Sequence, residues 1–283
     1  MDEHTLETTM TEHRFHTPRP LSLYVENGSG TVSVQATETE ESTVTVTGRD
    51  ADDVRVTEED GHLSVVAPHR RAGFFTGDSS LHMRLVVPTG SELMVRTGSA
   101  DVTVDGTVGA AQVKSGSGSV RLDQLSAPTQ VETGSGDITI DTAHAELRVK
   151  SGSGDVTAAR TESAVAVSTG SGSVRLGTTS GPAVVKTGSG DFRVVDAGDD
   201  VSMSTGSGDL LVETAHRGKV TVKGASGDVQ IGIPAGIPVW TDISTLSGRI
   251  RSDLDGAGEP APGADHIEVR AKTVSGDVVL SQL

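Results

Sequence analysis

The chain has 283 residues, a formal charge of −16, no cysteine and only 2% aromatic residues. The absence of cysteine excludes disulfides and thiolate metal sites, and the acidity disfavours nucleic acid and anionic membranes as partners. The length allows one large or two small domains.

The N-terminal residues contain no apolar run and begin with acidic residues, unlike a secretory signal or a membrane anchor. No later window approaches the roughly 18 consecutive apolar residues of a membrane helix. We therefore predict a disordered tail over residues 1–18, no direct membrane insertion and a cytoplasmic location.

Residues 19–96 alternate apolar and polar side chains, but without a fixed period. Each alternation is typical of a half-buried strand. The apolar members are Leu21/Leu23/Val25, Val32/Val34, Val44/Val46, Val54/Val56, Leu63/Val65 and Leu81/Met83/Leu85/Val87. Asp60-Gly61 predicts a hairpin turn. We interpret this region as the irregular N-terminal cap of the stack that follows, with a separate small β domain as the alternative.

One loop in this region concentrates basic and aromatic side chains. It contains Arg70, Arg71, Phe74 and Phe75, which include two of the four phenylalanines. Arginine and aromatic residues on a loop are typical of interface hot spots, so these four residues form our candidate interaction site. The alternative is that the phenylalanines plug an open end or side of the stack.

Residues 97–222 repeat one motif, Thr/Ser-Gly-Ser-Gly-Asp/Ser followed by an apolar residue. Its seven copies begin 18 residues apart, at Thr97, Ser115, Thr133, Ser151, Thr169, Thr187 and Thr205, and the first has Ala100 in place of the second glycine. A fixed period indicates a coil stacked on copies of itself, and apolar columns two residues apart indicate strands with one buried face. The sequence therefore predicts an all-β fold, a parallel β-solenoid or β-helix with 18-residue coils and two short strands per coil.

The motif residues are assigned structural turn roles. We attribute the glycines to backbone positions with positive φ, and the aspartates to hydrogen bonds with nearby backbone N–H groups. The turn residues are Gly134, Gly136, Asp137, Gly152, Gly154, Asp155, Gly188, Gly190, Asp191, Gly206, Gly208 and Asp209. Just before each turn, Lys114, Glu132 and Lys150 alternate in sign, which favours in-register stacking.

Residues 223–283 lose the period and predict irregular C-terminal coils and a cap, since a terminal coil must cover an open edge. The Pro/Gly-rich stretch 233–238, which leads to Trp240, predicts a plug or corner. The second such stretch predicts a mobile loop over residues 253–265.

The Gly-Ser-Gly-Asp repeats with a preceding Val-x-Thr/Ser strand resemble a bacterial β-strand-repeat family of unknown function, and the clearest copies begin at Thr133, Ser151 and Thr205. That family is labelled "putative adhesin" and is also called the toastrack domain. The resemblance covers roughly residues 20–283. It implies a β-solenoid and, in some relatives, a link to envelope-stress systems, and it supplies no catalytic residues.

Calcium is one alternative, because the Gly-Ser-Gly-Asp turns resemble the Gly-x-Gly-x-Asp repeats of calcium-binding β-rolls. Ser119 and Ser173 replace the aspartate in two copies, which removes a ligand that a hard cation needs, so we favour turn capping. His144 and His216 stand four coils apart, too far to share a metal. His13 and His16 would meet a metal only through the fold of the tail. We therefore expect no metal and no cofactor.

Catalytic motifs are absent from the sequence. No glycine-rich stretch has the pattern of a phosphate loop or a nucleophile elbow. Arg121, Arg175 and Arg193 share one strand face, with the last two adjacent, but we identify no paired acid.

The sequence predicts a non-enzymatic scaffold or interaction module whose partner is another protein. A carbohydrate-binding or carbohydrate-active β-helix and a calcium-stabilised adhesin remain the alternatives, and a glycan ligand stays open.

Overall fold

The computed structural model describes residues 9–68, 80–255 and 266–283. These residues lie mainly in short β-strands, with one 3-10 turn at Ala51–Asp53. None of the described segments forms a helix long and apolar enough to cross a bilayer. The chain divides into two compact units, Met1–Thr139 and Ile140–Leu283. Each unit is a stack of β coils, so the predicted all-β solenoid is confirmed.

The first unit contains two sheets. Its strands are β1 (Thr9–His16), β2 (Ser22–Asn27), β3 (Gly30–Thr37), β4 (Glu41–Gly48), β5 (Arg55–Glu59), β6 (His62–Val66), β7 (Leu81–Pro88), β8 (Glu92–Thr97), β9 (Asp101–Val108), β10 (Ala111–Ser115), β11 (Val120–Leu125) and β12 (Thr129–Thr133). One sheet has the order β1-β4-β7-β3-β9-β11 and the other has the order β5-β6-β2-β8-β10-β12. Residues of successive coils pair in parallel and in register, as β8, β10 and β12 do.

The N-terminal end of this unit departs from the predicted parallel arrangement. β4 pairs antiparallel with both β7 and β1, and β5 forms an antiparallel hairpin with β6. The hairpin turn has positive φ at Asp60 (50°) and Gly61 (80°), which confirms the turn that the sequence predicts. The outermost strands at this end are therefore held by reversed chain segments and not by a further coil.

The disordered tail predicted over residues 1–18 does not hold for Thr9–His16, which forms β1. All eight residues of β1 pair with β4, so backbone hydrogen bonds stabilise a segment that lacks a strong apolar pattern. Its half-buried face stacks the rings of His13 and Phe15, with centroids 6.5 Å apart. Residues 1–8 lie outside the described residues.

The second unit also contains two sheets. Its strands follow β13 (Ile138–Ala143), which crosses the unit boundary, and are β14 (Leu147–Ser151), β15 (Val156–Thr161), β16 (Val165–Thr169), β17 (Val174–Thr179), β18 (Ala183–Thr187), β19 (Phe192–Ala197), β20 (Val201–Ser207), β21 (Leu210–Ala215), β22 (Gly218–Ser226), β23 (Val229–Ile233), β24 (Val239–Thr245), β25 (Ile250–Ser252), β26 (Ile267–Thr273) and β27 (Val278–Gln282). The register of β17, β19 and β21 joins Val174 to Phe192 and Phe192 to Leu210, which confirms coils of 18 residues with two strands each.

The last coils are stacked out of chain order. β26 lies between β22 and β24 in one sheet, and β27 lies between β23 and β25 in the other. The final segment of the chain is therefore inserted under the coil that precedes it in sequence. The predicted corner at residues 233–238 is present as a turn, in which the Ile237 N–H donates to Pro234 O at 3.4 Å. Of the predicted loop 253–265, residues 256–265 lie outside the described residues.

The core consists of apolar columns that run along each stack. Val174, Phe192, Leu210 and Val229 form one column of the second unit, and each is at most 2% exposed. Phe192 is among the largest fully buried side chains. Branched and long aliphatic side chains dominate because a two-sheet coil is too thin to bury larger groups side by side.

The turn glycines are needed for close packing between coils and not, as the sequence predicted, for positive φ. A Cβ on Gly136 would lie 2.1 Å from the carbonyl oxygen of Gly118, and one on Gly190 would lie 2.0 Å from that of Gly172. Positive φ occurs instead at glycines outside these turns, such as Gly106. Because the clashing atoms belong to the backbone, no side chain can rotate away to make room.

Replacing Gly136 with alanine should destabilise the protein by about 2 kcal/mol or more, since overpacking costs about 1–3 kcal/mol and here the obstacle is backbone. The matched control is Gly28→Ala, in which the added Cβ meets nothing within 4 Å. We expect the control to stay within about 0.5 kcal/mol of the wild type. Urea unfolding followed by circular dichroism measures both, and equal losses would contradict the close-packing explanation.

Candidate interaction surface

An aspartate follows most of the Gly-Ser-Gly turns, and its carboxylate binds the neighbouring coil. Oδ1 of Asp155 accepts a hydrogen bond from the Ser173 N–H at 2.8 Å. Oδ1 of Asp191 accepts one from the Asp209 N–H at 2.9 Å, and Oδ1 of Asp209 accepts one from the Asp228 N–H at 2.7 Å. The predicted bonding of aspartate to backbone N–H groups is confirmed, but donor and acceptor lie in successive coils. The donor residue contributes only its backbone N–H to this hydrogen bond, so serine can occupy the donor position in place of aspartate, as Ser173 does.

The Asp ladder, as we call Asp191, Asp209, Asp228 and Asp277, does not have the form of a calcium site. Coils lie roughly 4.8 Å apart, and each carboxylate already accepts a backbone hydrogen bond from the next coil. Across residues 9–68, 80–255 and 266–283, no group of three or more His, Cys, Asp or Glu side chains is placed to hold a metal ion. The carboxylates present therefore do not fit the calcium alternative.

The ladder ends in an ion pair. The backbone N–H of Arg249 donates to Oδ1 of Asp277 at 2.9 Å, and Nη2 of the same arginine lies 3.1 Å from Oδ2. These contacts, with the backbone hydrogen bond as the largest cause, lower the pKa of Asp277. Arginine replaces aspartate at this last ladder position, so the end of the column has opposite charges side by side and not a further carboxylate.

His144 and His216, which stand four coils apart, each form an ion pair with a neighbouring coil when protonated. Nδ1 of His144 lies 2.8 Å from Oε2 of Glu162, and Nε2 of His216 lies 2.8 Å from Oδ1 of Asp196. Both pairs are exposed, so each contributes little to stability.

Arg175 and Arg193 lie opposite each other on neighbouring strands, as predicted. They line a shallow cavity of ≈ 290 Å³ beside the Asp ladder. Nε of Arg193 donates to Oε1 of Glu213 at 2.6 Å, so an acid lies beside this face as the ion-pair partner of Arg193. Phe192, the aromatic residue of the cavity lining, is buried, so its ring is not available to stack on a sugar.

The most exposed apolar side chains of the second unit lie in or beside its outermost coil. β24 and β25 are the last strands of their sheets. Trp240 is 58% exposed, Leu246 84% and Ile250 49%. We call β24, β25 and the corner between them, residues 239–252, the terminal rung.

The terminal rung exposes positions that the adjoining coil buries. Ile250 pairs with Val278, which is fully buried, so an interior column of the core reaches solvent here. Ile243 also occupies an interior position and is only half-buried. Two other interior positions hold Thr241 and Ser252, where the adjoining coil holds buried apolar residues. The terminal rung thus presents two strand edges and a partly apolar interior to solvent, which suits the addition of a further strand.

Sequence reasoning missed this surface because it assumed that coils stack in chain order. A signal was present: Ser226-Gly227-Asp228-Val229 recurs as Ser275-Gly276-Asp277-Val278, whereas residues 247–250 read Ser-Gly-Arg-Ile. The closer match between the first two copies would have placed those coils next to each other. The residues that the sequence did select as an interaction site, Arg70, Arg71, Phe74 and Phe75, lie outside the described residues.

The family model Toastrack DUF4097 matches residues 20–281 of the chain. The chain belongs to the toastrack family. Its DUF designation marks a family without an assigned function, and no curated protein matches this toastrack chain.

Several solved structures are similar to the toastrack chain at low sequence identity. A "putative adhesin" from Parabacteroides merdae is 14% identical with a TM-score of 0.41, and the alignment covers 96% of each chain. A "putative lipid binding protein" from Parabacteroides distasonis is 12% identical with a TM-score of 0.36, covering 97% of this chain and 96% of the other. A "putative cell adhesion protein" from Clostridium sporogenes is 11% identical with a TM-score of 0.25, covering 98% and 100%.

Replacing Asp209 with alanine removes the side-chain acceptor for the Asp228 N–H. We expect the Tm to fall by about 2–4 °C and the Asp228 amide to exchange with solvent faster. Asp209→Asn keeps an oxygen acceptor and should retain most of the protection. Amide hydrogen exchange followed by NMR measures both variants, and unchanged protection of Asp228 in the alanine variant would contradict the ladder.

The lowered pKa of Asp277 should make the stability of the second unit depend on pH. A carboxyl with a depressed pKa stabilises the fold above its unfolded pKa, near 3.9, and this contribution is lost as the pH falls through the lower folded pKa. We expect Tm to fall below about pH 4 and the fall to be shallower in Asp277→Asn. Thermal melts between about pH 3 and pH 6 measure this dependence of Tm on pH. Asp242→Asn, which removes an exposed carboxylate of the terminal rung, is the control.

Proposed function

We propose that this toastrack protein is a non-catalytic scaffold that binds another protein through its terminal rung. The observation that carries the proposal is that interior positions and strand edges are exposed there, as at Ile250, whereas the adjoining coil buries them. A partner strand can pair with β24 or β25 through main-chain hydrogen bonds, and Ile243 and Ile250 supply apolar contacts. Thr241 and Ser252 lower the apolar character of the end when no partner is bound.

The non-catalytic part of the proposal is supported by the contacts of the charged side chains. His144, His216 and Arg193 pair with carboxylates of neighbouring coils, so each of these groups already has a partner within the stack. A carbohydrate-active β-helix, the alternative, requires two carboxyl groups that face one sugar bond. The ladder carboxylates at the cavity beside Arg175 do not form such a pair, because they accept hydrogen bonds from backbone N–H groups of the next coil. A cytoplasmic location and a link to envelope stress stay predictions.

Photo-crosslinking in the native cell tests the proposed surface. A photoreactive residue replaces Leu246 in the test protein and Val184, which is 39% exposed on a regular face, in the matched control. We expect a protein adduct at position 246 and little at 184. Equal adducts at both positions, or none at 246, would argue against binding at the terminal rung.

A Trp240→Ser/Leu246→Ser variant should lose the crosslinked partner without losing stability. Both side chains are largely exposed, so we expect a small change in Tm but at least tenfold weaker binding, because exposed aromatic anchors dominate interfaces. A Phe74→Ser/Phe75→Ser variant examines the loop that the sequence selected. Binding that is lost in this second variant and retained in the first would move the interface to residues 68–78.

A further inference from the structure

The last described residues before position 256 read Arg249-Ile250-Arg251-Ser252-Asp253-Leu254-Asp255. This segment is self-complementary about Ser252. Reversed against a second copy of itself, it places Arg251 opposite Asp253 of that copy, Arg249 opposite Asp255, and Ile250 opposite Leu254. We propose that the terminal rung binds a second copy of this chain by antiparallel pairing of residues 249–255. The inference rests on the proposed function and names the partner at the same surface.

The backbone of this segment has the direction that such pairing needs. Val278 N donates to Arg249 O at 2.9 Å, and Asp253 N donates to Leu280 O at 3.2 Å. The odd-numbered residues therefore direct their backbone groups towards β27. Because these groups alternate along a strand, Ile250, Ser252 and Leu254 direct theirs to the open edge.

Antiparallel pairing about Ser252 then uses only groups on the open edge. Ser252 faces Ser252 of the copy, and Ile250 faces Leu254 in both directions, which gives about six interchain hydrogen bonds. Arg251 and Asp253 fall at the non-hydrogen-bonded position, where opposing side chains lie closest. The charges of the segment thus approach each other where the strand geometry favours contact.

The faces of the two copies also match. Ile250 lies in register with the buried Val278, so it faces the interior, and strand alternation places Ser252 and Leu254 on the same face. Arg251, Asp253 and Asp255 lie on the outer face and are exposed. In this pairing every even-numbered residue lies opposite an even-numbered residue and every odd-numbered residue opposite an odd-numbered one. Side chains that face the interior therefore meet interior side chains, and outward-facing side chains meet outward-facing ones. A two-fold axis then makes the contact closed, so pairing ends at a dimer.

Local contacts leave these charges able to pair. Arg249 already contacts Asp277 at 3.1 Å but its side chain remains 72% exposed. Oδ1 of Asp253 accepts a hydrogen bond from Gln282 N at 3.3 Å, and Asp255 uses its backbone N–H, which donates to the Gln282 side chain at 2.9 Å. Single exposed ion pairs are weak, and the contact joins only one short segment of each copy. The dimer is therefore weak and salt-sensitive.

Sedimentation equilibrium of the full chain with charge-reversal variants tests the pairing. Arg251→Asp places two pairs of like charges across the contact, and so does Asp253→Arg. We expect each to weaken self-association at least tenfold, because opposed like charges are strongly unfavourable. An equimolar mixture of the two variants restores complementary charges, and so does the double exchange within one chain. Both should recover the dimer. Arg160→Asp, the same change on β15, is the matched control and should associate as the wild type does.

A second variant keeps the test independent of local folding around Asp253. Ser252→Pro removes an N–H that faces the open edge, so it should block pairing and leave Tm nearly unchanged. Trp240, the single tryptophan, reports association by a blue shift of its emission with increasing concentration.

Three results would overturn the inference: a wild type that stays monomeric up to roughly 1 mM, reversal variants that associate normally, or a mixture that stays monomeric.

The photo-crosslink at position 246 separates this proposal from the proposed function. An adduct with a different protein keeps the proposed function and rejects the second copy. An adduct between two copies supports both, and no adduct rejects both.

Discussion

Each coil of this protein is held by the backbone of the coil beside it. In the regular coils, parallel strands pair residue for residue at intervals of 18, and at most turns a carbonyl of one coil approaches the next so closely that only glycine fits, as at Gly136 over Gly118. The aspartate after the turn binds the N–H of the equivalent residue in the neighbouring coil. Register, turn composition and charge placement all follow from this one contact.

Because a coil is completed by its neighbours, the ends of a stack are chemically different from its middle. At the N-terminal end of the first unit, the chain reverses and β1, β4 and β5 pair antiparallel. At the C-terminal end of the second unit, the outermost strands β24 and β25 keep the parallel direction. Ile250 is therefore exposed although its counterparts in inner coils are buried. A repeated fold acquires a distinct surface where the repetition stops.

Several charged side chains also make contacts between neighbouring coils. His144, His216 and Arg193 looked like isolated surface groups or parts of a site, but each contacts a carboxylate in a neighbouring coil. The ladder carboxylates are used in the same way. Arg249, which interrupts the ladder, gives Asp277 an opposite charge as its last neighbour and begins the self-complementary segment. The charges with a proposed binding role are thus those of residues 249–255.

The sequence alone determined the strand periodicity, the 18-residue coil and the structural use of aspartate, because these depend on side-chain alternation and on contacts that recur at a fixed interval. It also located the Asp60-Gly61 hairpin, which depends on two adjacent residues. Tertiary structure decided the rest. Turn glycines are required by a backbone 18 residues away and not by their own φ. Thr9–His16 becomes a strand because β4 offers an edge. β26 and β27 are inserted beneath β24 and β25, so β24 and β25 form the outermost coil and expose their side chains. The outermost coil is known only from the order of the coils in space, because it is not the last coil in the sequence.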